Sequence, residues 1–266
     1  MTSDASAAAI PSTSADRLTA VVTGASSGIG RASARRLRAD GWRVLAVARR
    51  EDRLATLAAE TGCETLVADV TEDEDVARLV ERVDELFDGR VNAVVNIAGG
   101  AFGQEAVDAA DLDAWQRMYS TNVLGTARVT RELLPALRAS GRGDILVLSS
   151  TAAQGAYEGG AGYNAAKAGE HMVASALRLE LAGEPIRVIE IAPGMVRTEE
   201  FSLVRLGDKE RADKVYDGVE NPLSADDCAD VVSYALNAPH HVNLDLVTIR
   251  PLAQAAQHKV ARHVGL

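Results

Sequence analysis

Cysteine is nearly missing from this 266-residue chain, which carries only Cys63 and Cys228. Two thiols cannot build a disulfide framework, so both are expected to be reduced and buried. Long hydrophobic runs are missing too: no apolar stretch reaches the roughly eighteen residues that a spanning helix needs. Basic charge is in deficit, with 28 Lys and Arg against 38 Asp and Glu and a formal net charge of −10. No Lys/Arg stripe stands out to neutralise phosphates, which argues against a nucleic-acid surface and against an anionic membrane surface. No basic residue precedes Arg17, a poor match to an export signal. A cytoplasmic chain is expected, with residues 1–16 (MTSDASAAAIPSTSAD) disordered. Neither an internal repeat nor a second domain boundary is visible.

What is present is apolar content of 47%, enough for the core of one α/β domain. Leu18–Val22 reads as a short buried strand, followed by a helix over 28–40 that Gly41 closes. Arg43–Ala48 is a second strand and 51–61 a helix, then Thr65–Ala68 a third strand. Thr71-x-x-Glu74 has the pattern of a capping box for a helix ending near Phe87. Val91–Asn96 is a fourth strand. A long helix is expected from Asp113 through Asn122 to Ala139, with Pro135 disturbing its last turns. Asp144–Leu148, Ile186–Ile191 and Leu246–Ile249 are further strands, separated by a helix over 161–182, a polar excursion over 197–221 and a helix capped by Ser224-x-x-Asp227. This alternation predicts a parallel sheet covered on both faces, with ligands beyond the carboxyl ends of its strands.

The residues with chemistry fall at those ends. Gly24, Gly28 and Gly30 lie between the first strand and first helix, within Thr23-Gly24-Ala25-Ser26-Ser27-Gly28-Ile29-Gly30. Such a turn needs sharp backbone, close approach to a pyrophosphate and a helix start that offers free N–H groups. Glycines also punctuate ordinary turns, so position carries the argument. An NAD site places an acid after the second strand, but this chain has Ala48, Arg49 and Arg50. A guanidinium would pair with a 2′-phosphate, which favours NADP(H), with Arg49 ahead of Arg50 and hydroxyls from Ser26 and Ser27 in support. Asp69, with the Val70 N–H beside it, is a candidate for an adenine amine. Asn96, Ala98 and Gly99 belong to a strand-ending turn small enough to pass a ribose.

Tyr163 and Lys167 stand four apart on a helix and share a face. A phenol free in water titrates near pH 10, and a neighbouring ammonium favours its phenolate. Such pairs also occur by chance on helix surfaces; Ser150 at the end of a strand lifts this one, as a donor to a developing alkoxide. Asn122, alone, reads as a solvent-facing polar residue. The alternative is a side chain that holds a water linking Lys167 to bulk.

These residues resemble the short-chain dehydrogenase/reductase family over nearly all of 18–252. The match is carried by TGASSGIG (23–30), NIAGG (96–100), Asn122, Ser150, Tyr163-Asn-Ala-Ala-Lys167 and Pro193-Gly194-Met195-Val196-Arg197-Thr198. Ile97 replaces a usual Asn, and Ala166 stands where Ser is usual. The resemblance implies a single Rossmann-like, doubly wound domain (17–252) with a seven-stranded parallel sheet. It implies a tetrad of Asn122, Ser150, Tyr163 and Lys167, and cofactor contacts that include Ile29, Tyr163, Lys167, Pro193, Gly194, Val196 and Thr198. Three further stretches (149–169, 198–216 and 239–254) are most similar to the NADP-dependent 3-hydroxy acid dehydrogenases that oxidise serine and allo-threonine. NADPH-dependent ketone or aldehyde reductases of specialised metabolism are the alternative. A fold of this kind also serves as a dinucleotide sensor, but the sensor reading would expect Tyr163 or Lys167 to be lost. A small hydroxy acid needs a cation; Arg197, Arg205 and Gln154 are candidates to touch substrate, though both arginines read equally as surface residues of an amphipathic lid. His240 and His241 lack the acids or cysteines of a metal site, so no metal is expected. By family analogy the 253–266 tail packs at a subunit interface of a homotetramer.

Overall fold

Each central strand is a short run of small or β-branched apolar residues, and the first shows why. Strand β1 (Thr19–Thr23) is buried along its whole length; Ala20 and Val22 enter one core layer while Val21 enters the other. Burial of both faces with a period of two is what a central parallel strand requires. The computed structural model describes residues 17–265, so the expected disorder of 1–16 lies outside the described residues.

The chain continues through α1 (Gly28–Ala39), β2 (Arg43–Ala48), α2 (Glu51–Thr61), β3 (Glu64–Val67), α3 (Asp73–Phe87) and β4 (Ala93–Asn96). Next come α4 (Leu112–Tyr119), α5 (Thr126–Ser140), β5 (Gly143–Leu148), α6 (Ala161–Glu180) and β6 (Ile186–Pro193). Two short helices, α7 (Phe201–Leu206) and α8 (Lys209–Lys214), precede α9 (Ala225–Asn237), β7 (Val247–Ile249) and a small hairpin of β8 (Gln254–Ala256) and β9 (Lys259–Val260). The main sheet has the order β3-β2-β1-β4-β5-β6-β7, parallel throughout. It is the doubly wound α/β domain expected from the alternation. Chain direction across the sheet reverses between β1 and β4, which opens a crevice at their carboxyl ends.

Helices cover both faces. Leu37 of α1, Leu54 and Leu57 of α2, and Val232 and Leu236 of α9 fill one layer. Leu79 and Val83 of α3, Leu133 and Leu137 of α5, and Ala174 of α6 fill the other. Each large aliphatic side chain so buried contributes about 1.5–3 kcal/mol. At the amino end of the sheet a buried ion pair joins β5 to β6: Arg187 donates to both carboxylate oxygens of Asp144 at 2.6 and 2.9 Å. The same guanidinium reaches the carbonyls of Leu236, Ala238 and Val242. Among the described residues no helix is long and apolar enough to cross a membrane.

Some local expectations change and others hold. The Thr71–Glu74 capping box does not form, because Asp69 captures the Thr71 hydroxyl at 2.8 Å and leaves Glu72 at the cap position. The Ser224–Asp227 box does form, with both reciprocal bonds present. The single helix over 113–139 is instead α4 and α5 joined by a π-helical turn, Ser120–Gly125. Pro135 sits inside α5 without ending it; Gly141, at φ +69°, does. The polar excursion over 197–221 contains α7 and α8, each too short to show a period.

Candidate active site

Beyond β1 the backbone turns through left-handed conformations at Gly24 and Gly28 (φ +68° and +49°). A Cβ on Gly30 would stand 2.2 Å from the Gly24 carbonyl oxygen, so α1 can lie this close to the turn only without a side chain there. Ser27 precedes α1 with extended backbone and no side-chain capping bond. The first N–H groups of the helix therefore remain available to an anion. The Thr23 hydroxyl accepts the Ile97 and Ala98 N–H groups at 3.0 Å, drawing the end of β4 alongside. The turn has the close backbone approach and the free N–H groups that a dinucleotide pyrophosphate would need.

A cavity of about 660 Å³ runs from this turn across the carboxyl ends of the strands. Of the catalytic and cofactor residues singled out from sequence, all but Asn96 and Asn122 line it. Asn96 is buried, its amide donating to the Thr130 hydroxyl at 3.2 Å; it belongs to the strand interior. Asn122 is fully buried, which removes the solvent-facing reading. Its side chain brackets Gly100, accepting from the Gly100 N–H at 3.2 Å and donating to the Gly100 carbonyl at 3.0 Å. A third bond, donated to the Met118 carbonyl at 2.7 Å, ties it into the π-helical turn. Asn122 thus sits one layer behind the cavity wall, supporting it.

The two arginines after β2 have different surroundings. Arg50 donates to the Ser26 hydroxyl through Nε and Nη2 at 3.2 and 3.0 Å, and through Nη1 to Glu200 at 2.8 Å. Arg49 is largely exposed and lies 3.5 Å from Asp69. The sequence argument ranks Arg49 first; in the folded chain Arg50 is the guanidinium held beside the glycine turn. Glu199 adds contacts to Arg31 and Arg53, so Glu199 and Glu200 strap the segment after β6 to α1 and α2. Asp69 holds the N–H and hydroxyl of Thr71. Thr198 packs over Gly28, and Val196 is fixed through its carbonyl by the Tyr216 hydroxyl at 2.9 Å.

At the other end of the cavity three elements converge. Ser150, just past β5, is loosely held, donating to the Pro193 carbonyl at 3.4 Å and accepting from the Ala152 N–H at 3.1 Å. Tyr163 lies in the first turn of α6, with Phe201 edge-on at 5.9 Å. Lys167 Nζ lies 6.0 Å from the Tyr163 ring centroid and donates to the Leu148 carbonyl at 2.9 Å and to Glu170 at 2.6 Å. Burial alone would push the Lys167 ammonium down, but the Glu170 carboxylate, together with Tyr163 and Glu190, outweighs it and holds the group above its usual range.

Of the three candidate substrate contacts, only Arg205 reaches the cavity. Its guanidinium stands 5.5 Å from the ring centres of both Tyr157 and Tyr163. Nε donates to the Gly103 carbonyl at 3.1 Å, while Nη2 is buried with no hydrogen-bond partner among the described residues. Burial pushes the Tyr157 phenol up, against the pull of this guanidinium. Arg197 stacks on Tyr216 instead, and Gln154 bonds to Thr248 at 2.9 Å. Sequence reasoning missed Glu170 and Glu200. A carboxylate seven residues after Tyr163, on one helix face with it, was a readable signal for the first; Glu200 had none, since its partner is 150 residues away.

A glycine turn suited to a dinucleotide at the switch point of a parallel sheet, with a serine, a tyrosine and a lysine at the far end of the cavity, is the arrangement of an oxidoreductase. The family model described as short chain dehydrogenase matches residues 18–207, and the chain belongs to that family. A Mycobacterium tuberculosis protein named only as an uncharacterised oxidoreductase is 52% identical over 245 residues, 92% of this chain and 95% of that one. Sulfoacetaldehyde reductase 2 of Chromohalobacter salexigens is 39% identical over 88% of this chain and 94% of its own length. Among solved structures, the closed form of serine dehydrogenase complexed with NADP+ superposes with a TM-score of 0.86 at 32% identity, covering 94% of this chain and 98% of that one.

Proposed function

We propose that this protein is an NADP(H)-dependent oxidoreductase acting on a small 3-hydroxy acid or hydroxy amino acid of the serine and allo-threonine type. Arg205 carries the substrate part of this reading. A buried guanidinium nitrogen without a hydrogen-bond partner among the described residues is unfavourable in the free protein and suits an anion that arrives with the substrate. The names of two relatives support the same geometry. Serine and sulfoacetaldehyde differ in headgroup, yet each bears its anion one carbon away from the reacting carbon.

In this reading Arg50 and Ser26, with Arg49 nearby, receive the 2′-phosphate, and the free N–H groups of α1 receive the pyrophosphate. Asp69 and Val70 take the adenine side; Pro193, Gly194, Val196 and Thr198 frame the nicotinamide. When bound, the nicotinamide accepts or gives the hydride. The protein's own work is orientation and proton handling. Arg205 holds the substrate anion and so aims the carbinol at Tyr163. Ser150 donates to the substrate oxygen as charge develops there. Tyr163 takes the hydroxyl proton in oxidation and returns it in reduction. Lys167 favours the phenolate, and Asn122 fixes the Gly99–Gly100 wall beside it. The same reading has the enzyme working in the cytoplasm as a homotetramer, with the 253–266 tail at a subunit contact.

The test is reduction of NADP+ or NAD+ followed by absorbance with L-serine, L-allo-threonine and 3-hydroxyisobutyrate. NADP+-dependent turnover of any one is the expected result. Silence on all three, with NADPH consumed on bulky neutral ketones or aldehydes, would refute the substrate reading and favour a reductase of specialised metabolism.

A further inference from the structure

Helix α6 carries, after Tyr163 and Lys167, a third ionisable group that hydride transfer does not itself require. Glu170 is 1% exposed, and residues 163, 167 and 170 lie on one face of the helix. One of its oxygens accepts from Lys167 Nζ at 2.6 Å and the other from the Thr126 hydroxyl of α5 at 3.2 Å. A buried ion pair is seldom worth more to stability than a well-packed apolar pair in its place, and this one, unlike Arg187–Asp144, directly engages a residue that lines the cavity. An ammonium has three donors. The Leu148 carbonyl takes one and Glu170 another, which ties Lys167 to the strand end that carries Ser150 and leaves a donor for the cavity that Lys167 lines.

We propose that Glu170 is a positioning residue: it anchors the Lys167 ammonium under Tyr163 and, by cancelling part of its charge, sets the pH window in which the pair works. This rests on the reading of Tyr163 and Lys167 as the proton-handling pair. Burial pushes the Glu170 carboxyl up, against the pull of Lys167 and the Thr126 hydroxyl; with its proton gone, the anion has two effects of opposite consequence. It keeps the proton on Lys167 despite burial, and it weakens the field that Lys167 exerts on Tyr163. Neutralising it makes Lys167 release its proton at lower pH; while Lys167 is still charged, Tyr163 ionises at lower pH as well. Both limbs of the activity profile then move toward acid together. Other groups face the pair: the Arg205 guanidinium of α7 stands 5.5 Å from the Tyr163 ring and the same distance from the Tyr157 ring, adding a positive field on Tyr163 that the Glu170 substitution leaves in place. Glu190 of β6, also 1% exposed, is held by the Ser149 hydroxyl and by His171 at 2.7 Å, and acts on Lys167 in the same sense more weakly. Thr126 and Asn122 are neutral.

The test compares Glu170→Gln with the unaltered enzyme in two readouts. One is kcat against pH for NADP+ with L-serine. The other is tyrosinate absorbance against pH in the enzyme alone, with a Tyr163→Phe background subtracted; it needs no turnover. Both limbs, and the Tyr163 absorbance midpoint, are expected to move toward acid by about one pH unit or more. Glu170→Asp, which withdraws the charge by one methylene, shifts them the same way by less, and it decides the matter if the Gln variant does not fold. A uniform fall in kcat with limbs and midpoint unmoved would overturn the proposal and leave Glu170 a packing residue. If Tyr163→Phe or Lys167→Ala retains full turnover, the reading of the reactive pair fails instead.

Discussion

Replacing Arg205 by methionine removes the guanidinium while keeping most of its length. In the unaltered site Nη2 is buried with no hydrogen-bond partner among the described residues, and the guanidinium stands 5.5 Å from the ring centres of Tyr157 and Tyr163. A charge-assisted bond to a substrate carboxylate made there is worth about 1.5–3 kcal/mol. At about 1.36 kcal/mol per factor of ten, that is roughly a 10- to 150-fold fall in kcat/KM. Arg205 also holds Gly103 and stacks on Tyr163, so the variant disturbs the site as well as the charge. The assay therefore compares two substrates within each enzyme: 3-hydroxyisobutyrate and its methyl ester, which keeps the carbinol but lacks the anion. Structural damage lowers both; loss of the anion contact lowers only the acid. The ratio of kcat/KM for acid over ester should drop by that factor, and Arg205→Lys, which keeps charge but not the fork, should recover part of it. An unchanged ratio would refute the role given to Arg205.

Three further outcomes follow from particular contacts. Arg50→Ala should raise the Kd for NADPH by about 10- to 100-fold, one charge-assisted pairing, with little change for NADH; Glu200→Gln, which removes the carboxylate competing for Arg50 at 2.8 Å, should tighten NADPH, both read by fluorescence titration. Burial pushes the Cys228 thiol up to about 12, so it should resist alkylation at neutral pH in the native protein and react once denatured. Asp144→Asn leaves Arg187 charged and uncompensated in the interior, and should cost about 3–5 kcal/mol in denaturant unfolding, without a matching loss in kcat at temperatures where the variant remains folded.

The parts legible in the sequence were those written locally. Strand β2 and helix α2 fall on their expected residues because a β-branched run and its turn leave one solution. The glycine turn, Ser150, Tyr163 and Lys167 meet in space because strand ends in a parallel sheet all open on one side. What was not legible depended on competition or distance. Thr71 has the right spacing for a cap, but Asp69, two residues away, binds its hydroxyl first. The π-helical turn at Ser120–Gly125 shifts the helical phase by a single residue, a change that hydrophobic spacing in an otherwise helical run does not register. Asn122 looked solvent-facing because its partner, Gly100, precedes it by 22 residues in another loop. Arg205 and Glu200 lie in a segment of short helices, where placement comes from the Tyr157, Gly103 and Arg50 contacts rather than from any pattern in the segment itself.

The Arg187–Asp144 pair has a bearing on how such a protein changes over evolutionary time. It clamps the entry ends of β5 and β6, whereas Ser150 and the Pro193–Thr198 segment leave from their exit ends. Six residues of extended chain, about 20 Å, separate anchor from chemistry. A drifting lineage can rebuild the lips of the pocket, exchange Arg205 for another cation or none, and alter which molecules it accepts, while the fastening that keeps the two strands in register stays untouched. The reactive groups at one end of the sheet thus stand on strands whose register is fixed at the other.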